Sequence, residues 1–248
     1  MSVIWNLWHG CIKISEGCKN CYVFRRDALY DIDSKNVYKT RNFDLPLKRK
    51  RDKSYKIDSG EHVWTCFTSD FFLEEADAWR EEAWKMIHLR NDLTFSIATK
   101  RIDRMQQSLP DDWGLGYDNV RILCTVENQK QAELRLPIFK QIPVRQKSII
   151  CEPLLGAVNL TKLLKGDWID QVIVGGESGE NARVCNYDWV LEIRNACIEN
   201  DVSFFFKQTG ALFVKDGKSH KIERKLQSGQ ARKAGINFDS KTKNKSEH

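Results

Sequence analysis

The chain has 248 residues, of which 41% are hydrophobic, so it can bury the core of one α/β barrel or two small domains, and we expect one. It has no run of about 18 apolar residues, which argues against a membrane span. Its first residues do not form a basic segment followed by an apolar one, which argues against a signal peptide. Eight cysteines in a chain of this length are too sparse for a disulfide scaffold, and we predict a cytoplasmic protein with no membrane partner. The formal net charge is +6.

Short apolar runs alternate with segments of helical pattern along the chain. The runs predict strands at residues 3–5, 63–68, 93–98, 120–126, 147–151, 171–174 and 203–206. Helices are predicted at residues 21–30, 74–90, 102–108, 129–141, 160–164 and 187–200. The alternation predicts a full or partial TIM-like (β/α) barrel of mostly parallel strands, with a doubly wound sheet as the alternative.

The barrel is expected to form a single domain over residues 1–213, and the polar stretch 31–60 looks like an insertion after the first unit. Positive charge is concentrated in two places, the run Lys48–Lys53 and the C-terminal segment 214–248, for which we predict a flexible tail. A basic loop and a basic tail suit a polyanion such as nucleic acid. A solvated surface is an equally good interpretation.

Three cysteines near the start of the chain are the most informative feature of the sequence. Cys11, Cys18 and Cys21 have the spacing C-x6-C-x2-C, and Gly10 and Gly17 precede two of them, which lets a short loop bend until the thiolates converge. Three thiolates can bind a metal or a cluster and leave one coordination position open. A structural zinc site would need a fourth ligand.

Each predicted strand is followed by polar residues, and in parallel barrels the active site lies at the C-terminal ends of the strands. The residues at these ends are Ser69, Asp70, Lys100, Arg101, Glu127, Asn128, Glu152, Lys207 and Gln208. After the sixth strand, the loop Gly175–Gly179 offers unobstructed backbone N–H groups and the carboxylate of Glu177, which could bind an ammonium group. The alternatives are structural ion pairs and a tight turn capped by Glu177.

Several short motifs, in the same order along residues 3 to 210, resemble a phage-associated and bacterial family of unknown function with a three-cysteine motif. They are Trp5-Asn6, Gly10-Cys11, Gly17-Cys18, Cys21-Tyr22, Thr99-Lys100-Arg101, Val126-Glu127-Asn128, Cys151 to Gly156, Val174 to Gly179 and Phe205 to Gln208. That family is similar to divergent radical SAM enzymes. Radical SAM proteins usually have the spacing C-x3-C-x2-C and carry Gly-Gly-Glu after the second strand, and this chain departs from both patterns.

The resemblance implies a radical SAM-like fold and a [4Fe–4S] cluster on Cys11, Cys18 and Cys21, with S-adenosylmethionine (SAM) on the fourth iron. Such an enzyme generates a 5′-deoxyadenosyl radical and requires an electron donor. The residues then assigned to SAM or substrate contacts are Ser69, Asp70, Glu127, Asn128, Glu152, Gly175, Gly176, Glu177 and Ser178. The candidates for substrate binding are Lys100, Arg101, Lys207 and Gln208, and the three cationic ones would bind a carboxylate or phosphate. No residue is assigned to the catalytic step itself.

The expected substrate is a nucleobase or nucleotide, in nucleic acid or as a precursor, because of the phage association, the basic loop and the basic tail. A peptide or a small metabolite would fit nearly as well. Two other classes of function stay open. In one, the three cysteines and His9 form a Cys3His zinc site that staples a nucleic-acid-binding module. In the other, the protein is a non-catalytic partner of another protein encoded in the same operon.

Overall fold

The computed structural model describes residues 2–240, which have a mixed α/β fold. Its main element is a seven-stranded sheet of parallel strands. By their contacts, the described residues divide into two compact units. Unit 1 comprises residues 2–14, 23–123 and 141–146, and unit 2 comprises residues 15–22, 124–140 and 147–240.

Unit 1 carries the first half of the strands and the helices between them. Its elements are β1 (Ser2–Trp5), β2 (Trp8–His9), α1 (Tyr22–Ala28, whose first residue lies in unit 2), β3 (Tyr38–Lys39), β4 (His62–Thr65), α2 (Asp77–Leu89), β5 (Thr94–Thr99), α3 (Ile102–Met105) and most of β6 (Val120–Thr125). Strand β4 pairs in parallel with β1 and with β5, so that Val63 lies opposite both Val3 and Phe95. The short strands β2 and β3 form an antiparallel pair.

Aromatic side chains fill the core of unit 1. The ring of Trp84 on α2 lies 4.9 Å from Phe71 and 5.1 Å from Trp113, measured between centroids, and Trp8 lies 5.5 Å from Phe71. These four residues are almost fully buried. Rings of this size bury large apolar areas and prefer tilted contacts, so Trp8, Trp84 and Trp113 serve in packing.

Within unit 1, a buried arginine holds the stretch 31–60, which the sequence predicted to be an insertion. Arg90, which is 1% exposed, donates hydrogen bonds to the carbonyl oxygens of Pro46 and Ile57 in the insertion, and its guanidinium lies 4.0 Å from the ring centroid of Tyr55. The carboxylate of Asp92 accepts two further bonds, at 2.8 and 2.9 Å. A buried guanidinium is tolerated only when its donors are satisfied, and here the insertion satisfies two of them.

Unit 2 carries the remaining parallel strands and a small second sheet. Its elements are the end of β6, α4 (Gln129–Gln141), β7 (Gln146–Cys151), β8 (Gln171–Gly175), β9 (Cys185–Asn186), α5 (Tyr187–Glu199), β10 (Ser203–Gln208), β11 (Leu212–Lys215), β12 (Lys218–Lys221) and α6 (Arg224–Lys233), with the first residue of β7 and the last of α4 in unit 1. Strand β8 pairs in parallel with β7 and β10. Strand β11 pairs with β9 and β12.

The strand order of the large sheet is β1-β4-β5-β6-β7-β8-β10. The prediction of an α/β fold with parallel strands is confirmed, and each of the seven predicted strands is present. A full TIM barrel is not shown, because within residues 2–240 β1 pairs only with β4 and β10 only with β8 in this sheet. The described part of the chain contains no helix long and apolar enough to cross a membrane.

The predicted helix at residues 160–164 is wrong. The structure has a turn there, in which the side-chain oxygen of Asn159 accepts a hydrogen bond from the backbone N–H of Thr161 at 3.1 Å. Asparagine offers the backbone this alternative to a helix, and the short apolar pattern of Leu160, Leu163 and Leu164 did not reveal it.

Part of the segment 214–248, for which the sequence predicts a flexible tail, has regular structure. Strands β11 and β12 form a hairpin whose turn residues, Asp216 and Gly217, have φ angles of 51° and 70°. Two positive φ angles are the mark of a type I′ hairpin turn, and Asp-Gly is among its preferred sequences. Helix α6 packs against β10. Residues 241–248 lie outside the described part of the chain.

Lys147 on β7 is a buried lysine whose charge should make stability depend on pH. It is 7% exposed, and its ammonium donates to the carbonyl oxygens of Phe139 at 2.9 Å and Lys140 at 3.1 Å, near the C-terminal end of α4. Burial, reinforced by the nearby charge of Lys140, lowers the pKa of Lys147 from 10.5 to about 8. Below pH 8 the folded state therefore carries the full cost of a buried ammonium.

Because the unfolded chain holds that proton up to about pH 10.5, the free energy of unfolding should rise with pH between the two values, by up to about 2–3 kcal/mol. Buried cysteines act in the opposite sense in this range, since burial raises the pKa of Cys66 and Cys151. The measurement is therefore the difference in urea unfolding between the native protein and Lys147→Met. We expect the native protein to gain relative to the variant from pH 7.5 to 9.5, and a constant difference would contradict the assignment.

Candidate functional site

The three cysteines of the predicted metal site differ from the other five in exposure. Cys11, Cys18 and Cys21 are half-buried, whereas the other five are buried, and within residues 2–240 no cysteine forms a disulfide. Burial raises the pKa of the buried thiols at Cys66, Cys151, Cys185 and Cys197. Because the thiolate is the metal ligand, the half-buried cysteines are the better donors. We call residues 11–21 the cysteine segment.

In unit 1, residues that follow β4 and β5 hold the start of the cysteine segment. The hydroxyl of Ser69 donates to the carbonyl oxygen of Gly10, and a guanidinium nitrogen of Arg101 donates to the carbonyl oxygen of Ile12 at 2.7 Å. Arg101 is buried. The backbone on both sides of Cys11 is therefore fixed by two residues that the sequence predicted to bind SAM or substrate.

Asp70 and Lys100, two further predicted contacts, join the ends of β4 and β5 to each other. The buried carboxylate of Asp70 accepts hydrogen bonds from the hydroxyl of Thr99 at 2.8 Å and from the backbone N–H of Lys100 at 2.9 Å. It also accepts one from the backbone N–H of Phe72 at 3.0 Å. Three hydrogen bonds satisfy this carboxylate within the fold, so Asp70 serves to order the loops that follow the strands.

Both glycines that precede a cysteine lie too close to a neighbouring group to leave room for a Cβ atom, Gly10 to backbone and Gly17 to a side chain. Gly10 has a φ of +94°, and a Cβ atom there would overlap the backbone of Asn36. At Gly17 a Cβ atom would overlap the side chain of Glu127. The sequence suggested that these glycines let the loop bend. The structure adds a second reason for glycine at both positions, which is the lack of space for a Cβ atom.

In unit 2, Glu127 supports the second half of the cysteine segment from the end of β6. Its side chain is fully buried and forms an ion pair with Arg135 of α4, with 2.7 Å between nitrogen and oxygen. Arg135 also donates to the carbonyl oxygen of Thr125 at 2.8 Å. The other carboxylate oxygen of Glu127 accepts a hydrogen bond from the hydroxyl of Ser15. A buried carboxylate thus reaches the loop that carries Cys18.

Glu177, which follows β8, binds the same segment. Its carboxylate accepts hydrogen bonds from the side chain of Asn20 at 3.0 Å and from the guanidinium of Arg183 at 2.6 and 2.9 Å. Desolvation by burial would raise the pKa of Glu177, but the bonds from Arg183 and Asn20 outweigh it and the pKa is lowered. Arg183 in turn donates to the carbonyl oxygen of Glu16 at 3.0 Å.

Asn128 contributes a further contact between the end of β6 and the segment. Its amide nitrogen donates to the carboxylate of Glu16 at 3.2 Å, and its amide oxygen accepts from the backbone N–H of Gln131 at 3.0 Å, near the start of α4. The loop 15–21 therefore receives bonds from Glu127, Asn128, Glu177 and Arg183. All four follow β6 or β8.

The remaining predicted contacts form a separate cluster in unit 2. Glu152, after β7, pairs with the ammonium of Lys207 at 2.6 Å and accepts a hydrogen bond from Gln208. A Cβ atom at Gly175 would lie 3.0 Å from the carboxylate of Glu152. Lys207 is about half exposed, so this cluster is open to a ligand.

Gly176 is needed for packing inside the protein. A Cβ atom there would overlap the carbonyl group of Thr209, and the backbone N–H of Gly176 donates to the carbonyl oxygen of Gln208 at 3.1 Å. The sequence suggested that this loop lets a ligand approach closely, and at Gly176 the close neighbour is the chain's own backbone. Ser178, two residues further along the chain, is half-buried.

His9, the proposed fourth zinc ligand, is already engaged in unit 1. It is 6% exposed, and its Nε2 lies 2.8 Å from a carboxylate oxygen of Asp27, which also accepts from the hydroxyl of Ser34 at 2.6 Å. Desolvation would raise the pKa of Asp27, but the bonds from Ser34 and His9 outweigh it and the pKa is lowered. The pair is thus an internal, satisfied contact.

Sequence reasoning missed the residues through which these carboxylates act. Asn20 lies inside the cysteine motif and Arg135 lies eight positions after Glu127, and neither shows a spacing that would single it out. Within the described residues, no three His, Cys, Asp or Glu side chains are grouped as a metal site. What fits a metal centre is the chemistry of the donors, three half-buried thiols on one short segment.

Comparison with known proteins identifies the family but gives no activity. No curated protein and no solved structure matches the chain. One family model matches residues 1–246, under the description "Protein of unknown function (DUF5131)". That description names neither a reaction nor a phage. Since the match covers nearly the whole chain, the protein belongs to the DUF5131 family of proteins of unknown function.

Proposed function

We propose that the protein is an iron–sulfur enzyme of the radical SAM type, in which Cys11, Cys18 and Cys21 hold a [4Fe–4S] cluster. Its parallel sheet would then be a divergent form of the radical SAM fold. When bound, such a cluster supplies the electron that cleaves SAM reductively, so an external electron donor is a required partner. The substrate class we propose is a nucleobase or nucleotide.

One observation carries the proposal: charged and polar side chains at the strand ends are used to hold a loop of cysteines. Glu127 is fully buried with Arg135, and such a pair is costly to desolvate. Glu177 binds the same loop together with Arg183. Precise ordering of a short thiol-bearing loop is what a metal centre requires of its surroundings.

A segment with three thiols can serve as a metal site without a preformed group, because ligand loops often complete their folding when the metal binds. All three cysteines lie within residues 11–21. Glu127, Asp70 and Arg101 then act as positioning residues. Of the carboxylates at the strand ends, Glu152 is a better candidate than Glu177 for binding the amino group of SAM. Its partner in the structure is the ammonium of Lys207, which has the same charge as that amino group.

The zinc-stapled module has less support. A Cys3His site needs a ring nitrogen of His9, and Nε2 of this buried histidine is bonded to Asp27 at 2.8 Å. Removing His9 from that contact would leave a buried carboxylate with one partner fewer, which costs free energy.

Metal analysis tests the proposal directly. The full chain is purified without oxygen, and iron, sulfide and zinc are quantified together with the visible absorption spectrum. We expect about four irons and four sulfides per chain and a brown, oxygen-sensitive protein. One zinc per chain in a colourless protein would overturn the proposal and favour the zinc-stapled module.

A further inference from the structure

We infer that unit 1 contains a second ligand site, a basic cavity that binds one nucleotide of a single-stranded nucleic acid. The cavity has a volume of about 510 Å³ and lies among residues of β2, β3 and the stretch that follows β3. Two of its lining residues, Lys39 and Arg41, are positively charged, and none of the described lining residues is acidic. This volume is within the usual range for small-ligand sites.

Arg41 is the residue of the cavity best suited to bind an anion. Its side chain is exposed, and among residues 2–240 it has no carboxylate partner. A guanidinium offers a planar pair of donors that matches a phosphate group. Lys39 stands beside it in the lining, with its ammonium 2.8 Å from Glu82 and 3.9 Å from the ring centroid of Phe43. Exposed pairs such as Lys39–Glu82 are weak, so a phosphate can replace the carboxylate.

Tyr38 supplies a surface for a base. Its side chain is 42% exposed, and its ring lies 5.4 Å from the buried imidazole of His9, which supports one side of it. Exposed aromatic rings beside basic residues bind single strands by stacking on unpaired bases. Neighbouring residues add an attractive field, because the insertion 31–60 contains nine Lys and Arg against five Asp.

This site would make single-stranded nucleic acid the substrate of the enzyme proposed above. The inference rests on that proposed function only where it treats the strand as a substrate. None of the three cysteines is among the described residues that line the cavity. The probe is a short fluorescein-labelled single-stranded DNA or RNA, titrated with the full chain and followed by fluorescence anisotropy at two salt concentrations. Iron content measured on the same preparation separates failure of the cluster from failure of this site, because Tyr38 and Arg41 lie outside the cysteine segment.

The deciding comparison is between two arginines of the insertion. Arg41→Gln should weaken binding about tenfold, and Arg51→Gln, which removes the same charge from an exposed residue outside the cavity, should weaken it less than about threefold. Tyr38→Leu should weaken binding about fivefold or more, and Tyr38→Phe should restore it. Equal losses for Arg41→Gln and Arg51→Gln would overturn the site in favour of diffuse charge attraction.

Two further results would also overturn the inference. One is an absence of binding by either strand at low salt. The other is a mononucleotide or inorganic phosphate that binds as tightly as the strand, since the cavity would then be a site for a free small anion. Thermal unfolding of each variant provides the folding control, because Tyr38, Arg41 and Arg51 are exposed and their replacement should not change stability.

Discussion

Replacing Glu127 by alanine is expected to lower the free energy of unfolding by about 3–5 kcal/mol, because it leaves a buried guanidinium without its anion. Glu127 is fully buried, and Arg135, its partner at 2.7 Å, is 5% exposed. The loss should appear as a lower urea midpoint with little change in slope. The same substitution removes the acceptor for Ser15, so the cysteine segment should lose order as well.

Two variants serve as controls for Glu127→Ala. Glu133→Ala removes a carboxylate from an exposed position of α4, the helix that carries Arg135, and should change stability by less than about 0.5 kcal/mol. The double replacement of Glu127 by Gln and Arg135 by Met removes both charges and should recover much of the loss. If Glu127→Ala were as stable as Glu133→Ala, the ion pair would not hold this region together.

The second large effect concerns metal content. Replacing Cys18 or Cys21 by alanine is expected to reduce bound iron and sulfide to background, because a [4Fe–4S] cluster on three thiolates cannot spare one of them. Cys185→Ala is the matched control. It removes one thiol from a buried position of unit 2, where burial raises the pKa of the cysteine, and iron should be retained. Equal iron in Cys18→Ala and Cys185→Ala would contradict the assignment of the ligands.

The seven parallel strands were predictable because a strand buried on both faces is a short apolar run between polar residues. Helix 129–141 was predicted with the bounds that the structure has. The hairpin of β11 and β12 was missed, although its turn carries the signal Asp216-Gly217, because the surrounding Lys and Ser residues resemble a solvated tail. Helix α6 was missed for the same reason, because its many polar and basic residues resemble a solvated tail.

At the candidate site, the sequence indicated which residues follow the strands but not what they contact. Glu127 and Glu177 were predicted to bind a cofactor or substrate, and the structure places both against the cysteine segment. Their partners Ser15, Asn20 and Arg183 are remote from them in sequence or unmarked by spacing, so only tertiary structure reveals the contacts. The cavity beside Tyr38 is likewise revealed only by the tertiary structure, because no motif in the sequence defines it.

The most direct measurement is the reductive cleavage of SAM. The chain purified without oxygen is incubated with SAM and dithionite, and 5′-deoxyadenosine is quantified by chromatography. The proposed function predicts that 5′-deoxyadenosine forms with the native protein and with Cys185→Ala, and that it falls to the background level with Cys18→Ala. A protein that holds a full complement of iron and forms no 5′-deoxyadenosine would contradict radical SAM chemistry.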